Sequence, residues 1–148
     1  MSMERPRILV VDDEPFYTEV LHNLLRDEYE VESAATGEEA LAKASAVPLP
    51  DLVLLDIILP DIDGYEVCYR LKRNAATSDI PVIFLTVKSD VDDEIRGFNL
   101  GAVDYIAKPI SPPIVKARVR THIKLARMIQ QLEDMVAQLR EQSSAVSF

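Results

Sequence analysis

Cysteine is nearly absent: Cys68 is the only one among 148 residues. A lone thiol cannot close an intramolecular disulfide. That excludes the disulfide-framed secreted scaffolds and leads us to expect a reducing, cytoplasmic setting. Long apolar runs are missing too. No segment approaches the ~18 uninterrupted apolar residues of a membrane-spanning helix. The polar stretch Met1–Arg7 followed by the short run Ile8–Val11 does not make a secretory leader. Basic residues are outnumbered, with 16 Lys and Arg against 25 Asp and Glu, a net charge of −9. Such a surface repels phosphate backbones, which argues against direct nucleic-acid binding. Internal repeats and low-complexity tracts are also lacking.

What remains is ordinary for a globular chain: 48% hydrophobic and 28% charged residues. The length suits one domain with an appendage. A domain of this size buries about 68–70% of the surface its unfolded chain exposes, enough for a core without covalent staples.

Short apolar runs alternate with amphipathic stretches. Strands are expected at 8–11, 29–34, 51–56, 80–86 and 102–107. Helices are expected at 16–26, 36–46, 64–73 and 89–100, and a last one starts near Ser111-Pro112-Pro113. Thr36 is a plausible N-cap with acids in the turn after it, and proline suits the first turn of the last helix. The alternation predicts an α/β fold, (βα)5, with a parallel sheet covered on both faces. The unbroken apolar runs "LVLL" and "VIFL" agree, because a central parallel strand is buried on both sides.

The last helix is longer than the sheet requires. From Ile114 to about Gln142 it meets neither Gly nor Pro, and Leu125, Ile129, Leu132, Val136 and Leu139 recur at 4-3-4-3 spacing. This divides the chain into a domain over 1–122 and a helical extension over 123–148 with a frayed end. The seam is open to two readings: a helix folded back on its own domain, or a parallel coiled coil.

The strands end in polar groups. The first runs into Asp12-Asp13, the third ends at Asp56, the fourth at Thr86, and the fifth is followed by Lys108-Pro109. An open parallel sheet gathers such residues on one edge, where ligands bind. Three carboxylates about 5 Å apart repel by about 3 kcal/mol per pair at an effective dielectric of ~20. A hard divalent cation relieves this, and Mg²⁺ uses one or two carboxylates together with phosphate oxygens. With Lys108 and Thr86 available for phosphoryl oxygens, the set suits phosphoryl transfer to a carboxylate.

Four segments, "ILVVDDE", "DLVLLDIILPDIDGYEV", "PVIFLT" and "GAVDYIAKP", resemble in order and separation the receiver domain of two-component response regulators, over about residues 7–122. The resemblance implies a flavodoxin-like doubly wound sheet of strand order 2-1-3-4-5. It implies that Asp56 accepts a phosphoryl group from a sensor histidine kinase or a small phosphodonor. Asp13 would ligate Mg²⁺ directly, Asp12 mainly through water, and the backbone carbonyl of Ile58 would complete the metal shell. Lys108 would pair with the phosphoryl group, with a cis bond to Pro109, and Thr86 and Tyr105 would form the switch, the hydroxyl moving to the phosphoryl oxygen and the ring turning inward. Val87 stands where the family usually has a small residue, so it is expected to modulate access to Asp56. The segment "SPPIVKARVRTHI" and the seam resemble receivers that feed cyclic di-GMP turnover domains; after Phe148 the chain stops, leaving any output domain or effector to another segment or protein.

Other readings stand beside these. A phosphatase using an aspartyl-phosphate commonly carries a second Asp two residues after its nucleophile, where this chain has Ile58. A constitutive dimerisation module with a weakly used site is a further alternative. His22 and His122 have no partner at metal-ligand spacing, and Cys68 reads as a small apolar residue. Asp90, Asp92, Asp93 and Glu94 open the fourth helix, while Lys116, Arg118, Arg120, Lys124 and Arg127 line the fifth. These are either solvated faces or the two halves of an isologous homodimer through the fourth helix, fifth strand and fifth helix.

Overall fold

The computed structural model describes residues 4–87 and 91–146. In chain order the elements are β1 (Arg7–Val11), α1 (Pro15–Leu25), β2 (Glu30–Ala34), α2 (Gly37–Ala44), β3 (Leu52–Asp56), α3 (Gly64–Arg73), β4 (Val82–Thr86), α4 (Val91–Asn99), β5 (Asp104–Ala107) and α5 (Pro112–Val146). All five strands are parallel, in the order β2-β1-β3-β4-β5. The doubly wound architecture expected from the alternation is therefore the one observed.

Both faces of the sheet are covered. Leu9, Val11, Val53, Leu55, Val82 and Phe84 point into one core with α2 and α3. Ile8, Val10, Leu52, Leu54, Ile83 and Leu85 point into the other with Leu21, Leu25, Val115, Val119 and Ile123. Successive strand residues face opposite sides, which is why β3 and β4 are apolar without interruption. The register pairs Val11 with Leu55 and Asp56 with Leu85. The carboxyl ends of β1, β3 and β4 are thus level, and the residues that follow share one edge.

Helix starts follow local chemistry. Thr36 caps α2 by accepting from Glu39 N–H at 3.0 Å, and Glu39 reaches back to Ala35 N–H at 2.7 Å. Asp63 caps α3 through Glu66 N–H at 2.9 Å. Four strands begin later than expected, β3 by one residue at Leu52, and in the other three the preceding residues are already committed. Tyr29 N–H still closes α1 on the Leu25 carbonyl, Pro81 has no N–H, and Ala102 N–H bonds the Gly97 carbonyl at the end of α4. The expected start of the fourth helix at Ser89 and Asp90 lies outside the described residues, as does the tip of the frayed end.

α5 is one continuous helix of 35 residues, about 52 Å at 1.5 Å per residue. Its first turns pack on the sheet through Val115, Val119 and Ile123. Beyond these the apolar seam is open: Leu125, Ile129, Leu132, Val136 and Leu139 are 46–62% exposed. Leu125 and Ile129 still line a groove shared with the loops before β3 and β4, while Leu132, Val136 and Leu139 lie beyond that groove.

Candidate functional site

At the carboxyl edge, Asp12 follows β1 and is buried, Asp13 is exposed, and Asp56 ends β3 with 6% exposure. One oxygen from each of the three carboxylates lies within 4.8 Å of the others. Thr86 ends β4 and Lys108 follows β5, both buried. The Lys108–Pro109 peptide bond is cis. Lys108 Nζ sits 2.8 Å from Asp12 Oδ2 and 3.3 Å from Asp56 Oδ2. Asp12 Oδ1 accepts from Glu14 N–H at 2.9 Å, and Asp56 Oδ1 accepts from Ile58 N–H at 3.4 Å. The contact of Asp12 Oδ2 with Lys108 is an ion pair without hydrogen-bond alignment, so this buried oxygen has no aligned donor among the described residues.

These contacts set the electrostatics. Burial, and next the neighbouring Asp12, push the Asp56 carboxyl from 3.8 up to about 6, against the pull of Lys108. For Lys108, burial alone would lower the ammonium pKa, but the pairing with Asp12 and Asp56 holds it above the ordinary lysine value. One ammonium serves two buried carboxylates and leaves the third to solvent. The donor set is all oxygen, one of its atoms is buried without an aligned donor, and its negative charge exceeds the nearby positive charge. These are the requirements of a hard divalent cation.

Glycine shapes the floor of the site. A Cβ on Gly64 would overlap the backbone carbonyl oxygen of Asp56, so the loop between β3 and α3 folds back closely only with glycine there. Val87 and Ile58 stand at the rim, 65% and 68% exposed. Tyr105, expected to turn inward on phosphorylation, already lies inward beside Phe84 and Phe98, held by its hydroxyl, which donates to the Asp93 carbonyl at 2.7 Å. Asp12, Asp13, Asp56 and Lys108 are thus brought together, Thr86 lies at the same edge, and Tyr105 lies under α4.

Two residues were not picked out in the sequence, Tyr17 and Asp61, and His122, read there only for metal-ligand spacing, has an acidic partner. Tyr17, in the first turn of α1, lays its ring 4.2 Å from Lys108 Nζ; its place five residues after Asp12, on the turn that follows the acidic pair, was the available signal. Asp61 accepts from Gly37 and Glu38 N–H at 2.8 and 2.9 Å, tying the loop after β3 to the start of α2. His122 hydrogen-bonds Asp104 at 2.9 Å beside Arg118, which also donates to the Tyr105 carbonyl. Cys68 is buried in the core, and burial pushes its thiol up to about 11, which suits a small apolar role.

A groove of about 760 Å³ lies away from this chemistry, between α5 and the loops before β3 and β4, lined by residues such as Pro50, Ile80, Pro81, Ile123 and Ile129. Asp12 and Asp13 line a separate cleft of about 520 Å³ with Thr18, His22 and Glu39, a lining that does not include Asp56. No described helix is long and apolar enough to cross a membrane.

Comparison with known proteins agrees with this geometry. Residues 8–120 match the family model of the response regulator receiver domain. The chain is 47% identical over 130 residues to a protein of Vibrio cholerae named probable cyclic di-GMP phosphodiesterase, covering 86% of this chain and 29% of that one. It is 41% identical over 127 residues to the DNA-binding dual master transcriptional regulator RpaA of Synechocystis, covering 85% and 52%. The chain thus spans about half or less of the length of these relatives. Among solved structures, a CheY-like receiver domain protein from Methanospirillum hungatei superposes with a TM-score of 0.78 at 29% identity, covering 84% of this chain and 98% of that one.

Proposed function

The chain belongs to the response regulator receiver domain family of two-component signalling, and from that premise we propose that it is a phosphorylation-driven switch with Asp56 as its phosphoacceptor. Receiver domains bind Mg²⁺ in an acidic pocket, and the Asp12, Asp13 and Asp56 cluster fits one. In our reading Asp13, Asp56 and the Ile58 carbonyl would hold the ion, with Asp12 acting mainly through water. When bound, Mg²⁺ supplies charge neutralisation to the carboxylates and the phosphoryl oxygens.

The transfer is a displacement at phosphorus. An oxygen of Asp56 forms the new P–O bond as the donor's P–N bond breaks, and the electron pair leaves with the imidazole nitrogen of a sensor histidine kinase. Lys108 Nζ, already 3.3 Å from Asp56 Oδ2, holds a transferred oxygen. The Thr86 hydroxyl meets another, and Tyr105 keeps its inward position under α4 once Thr86 is drawn to the phosphoryl group. Val87, exposed at the rim, sets how easily donor and water reach the site. The observation that carries this reading is the convergence of the three carboxylates and Lys108 on one sheet edge.

The partners follow from the same reading. A cytoplasmic kinase supplies the phosphoryl group, and the α4-β5-α5 surface and the helical extension pass the state on to a second copy and to an output domain or effector. The receiver spans 1–122 and the extension 123–148. The relative named as a cyclic di-GMP phosphodiesterase supports an output of that kind, carried outside the segment that matches this chain.

The test is intact mass after incubation with phosphoramidate and Mg²⁺, for wild type and Asp56→Asn. Gain of one phosphoryl group by wild type alone establishes the acceptor. An equal gain by the variant places the acceptor elsewhere, and no gain by either removes the switch as proposed.

A further inference from the structure

The Lys108 ammonium has three N–H directions to satisfy, and among the described residues two carboxylates lie within ion-pair distance. Asp12 Oδ2 and Asp56 Oδ2 take two directions, at 2.8 and 3.3 Å. The third is covered by the Tyr17 ring, whose centroid lies 4.2 Å from Nζ. The ring is half-buried and braced edge-on by Phe16, with centroids 5.2 Å apart and planes at 82°. Its position in α1 is fixed by backbone bonds: Tyr17 N–H to the Glu14 carbonyl at 3.1 Å and Thr18 N–H to the same carbonyl at 3.3 Å. The Thr18 hydroxyl lies 3.3 Å from the Asp12 carbonyl and ties this turn to the acidic strand end.

From this geometry we propose that Tyr17 is a positioning residue for Lys108, its π face holding the ammonium over the phosphoacceptor. The proposal rests on the reading of Asp56 as acceptor and deepens it. A lysine on four methylenes has many rotamers, and fixing one costs rotamer entropy. In this chain that cost is met before the phosphoryl group arrives. When charge moves from the Asp56 carboxylate to the transferred group, Nζ has only to shift between Asp56 and the new oxygens. The ring blocks the alternative swing toward α1 and solvent. A cation–π contact of a desolvated ammonium is among the stronger of its kind, and phenol and benzene faces both provide it, whereas an aliphatic side chain of similar bulk does not.

The experiment compares wild type, Tyr17→Phe and Tyr17→Leu in two measurements. The first is the NMR shift of the Lys108 ε-methylene protons in the unphosphorylated full chain with Mg²⁺. The second is the rate of phosphorylation by phosphoramidate, followed by intact mass. Upfield ring-current shifts are expected in wild type and Tyr17→Phe and are expected to be lost in Tyr17→Leu. Tyr17→Phe should phosphorylate within twofold of wild type, and Tyr17→Leu about three- to tenfold more slowly. In a Lys108→Ala background the Tyr17→Leu effect should vanish, since there is no ammonium left to place. An undiminished Tyr17→Leu effect there, or equal rates for Phe and Leu, would overturn the proposal. Missing ring-current shifts in wild type would overturn it independently of any phosphotransfer. Failure of wild type to take up phosphate while the ring-current shifts are present would count against the acceptor reading and leave the Tyr17–Lys108 contact standing.

Discussion

At the scale of single residues, the site is a stored charge conflict. Asp56 is buried beside Asp12 with one shared cation, and its carboxyl is pushed up to about 6. The folded-state value exceeds the unfolded one, so the folded chain binds more protons between pH ~4 and ~6. In metal-free buffer this group's contribution therefore makes stability fall as pH rises through that window, with the penalty full above it. A shift of this size costs at most about 3 kcal/mol. Asp56→Asn should remove the penalty and raise the metal-free melting temperature at pH 7 by about 3–8 °C, with less gain at pH 4. Mg²⁺ should raise the melting temperature of wild type, because a ligand of the native state alone stabilises it. Asp13→Ala should abolish that rise; a rise as large as wild type's in the variant would put the ion elsewhere. Thermal scans with and without chelator check all three.

At the scale of elements, α4 carries a notch. A Cβ on Gly97 would overlap the Tyr105 hydroxyl oxygen, so glycine there is what lets the ring lie inward with its hydroxyl on the Asp93 carbonyl. Replacing glycine by alanine in a helix interior ordinarily gains about 0.5–1 kcal/mol. Gly97→Ala should instead destabilise by about 1–3 kcal/mol, as overpacking does, and should push the ring outward. In a Tyr105→Ala background the same change should be neutral or stabilising, a sign reversal that a double-mutant cycle by urea unfolding reads directly. Helix existence was legible from periodicity and caps, as Thr36 illustrates. The notch was not, because nothing local to Gly97 marks it: the side chain that needs the space comes from β5.

For the whole molecule, the question is what covers the seam of α5. Ile129 and Val136 alternate with Leu125, Leu132 and Leu139 at 4-3-4-3 spacing. β-Branched residues at one core position and leucine at the other favour two parallel strands. Truncation after Lys124 keeps the buried Ile123 and removes the seam. Sedimentation should show a dimer for the full chain and a smaller mass for the truncated one; equal masses would assign any dimer to the receiver surface. On that surface, Arg118 is already engaged with Asp104 and the Tyr105 carbonyl of its own chain, so a pairing through the basic face of α5 has to rely on Lys116, Arg120 and Lys124 or exchange these contacts.

The sequence by itself determined the alternation of strands and helices, the polar strand ends and the length of the last helix. Each rests on near neighbours: apolar spacing, capping residues and the absence of Gly and Pro over a long stretch. That Asp12, Asp13, Asp56 and Lys108 share an edge was inferable too, because a parallel sheet leaves few other places for them. Only the tertiary structure decided the rest. Tyr17 covers Lys108 from ninety-one positions away, Gly97 makes room for Tyr105, Asp61 caps a helix that precedes it, and the seam of α5 starts in a groove against the domain and runs on past it. These contacts join side chains from separate elements, so their partners are set by the packing angles of helices on the sheet, which no local pattern encodes.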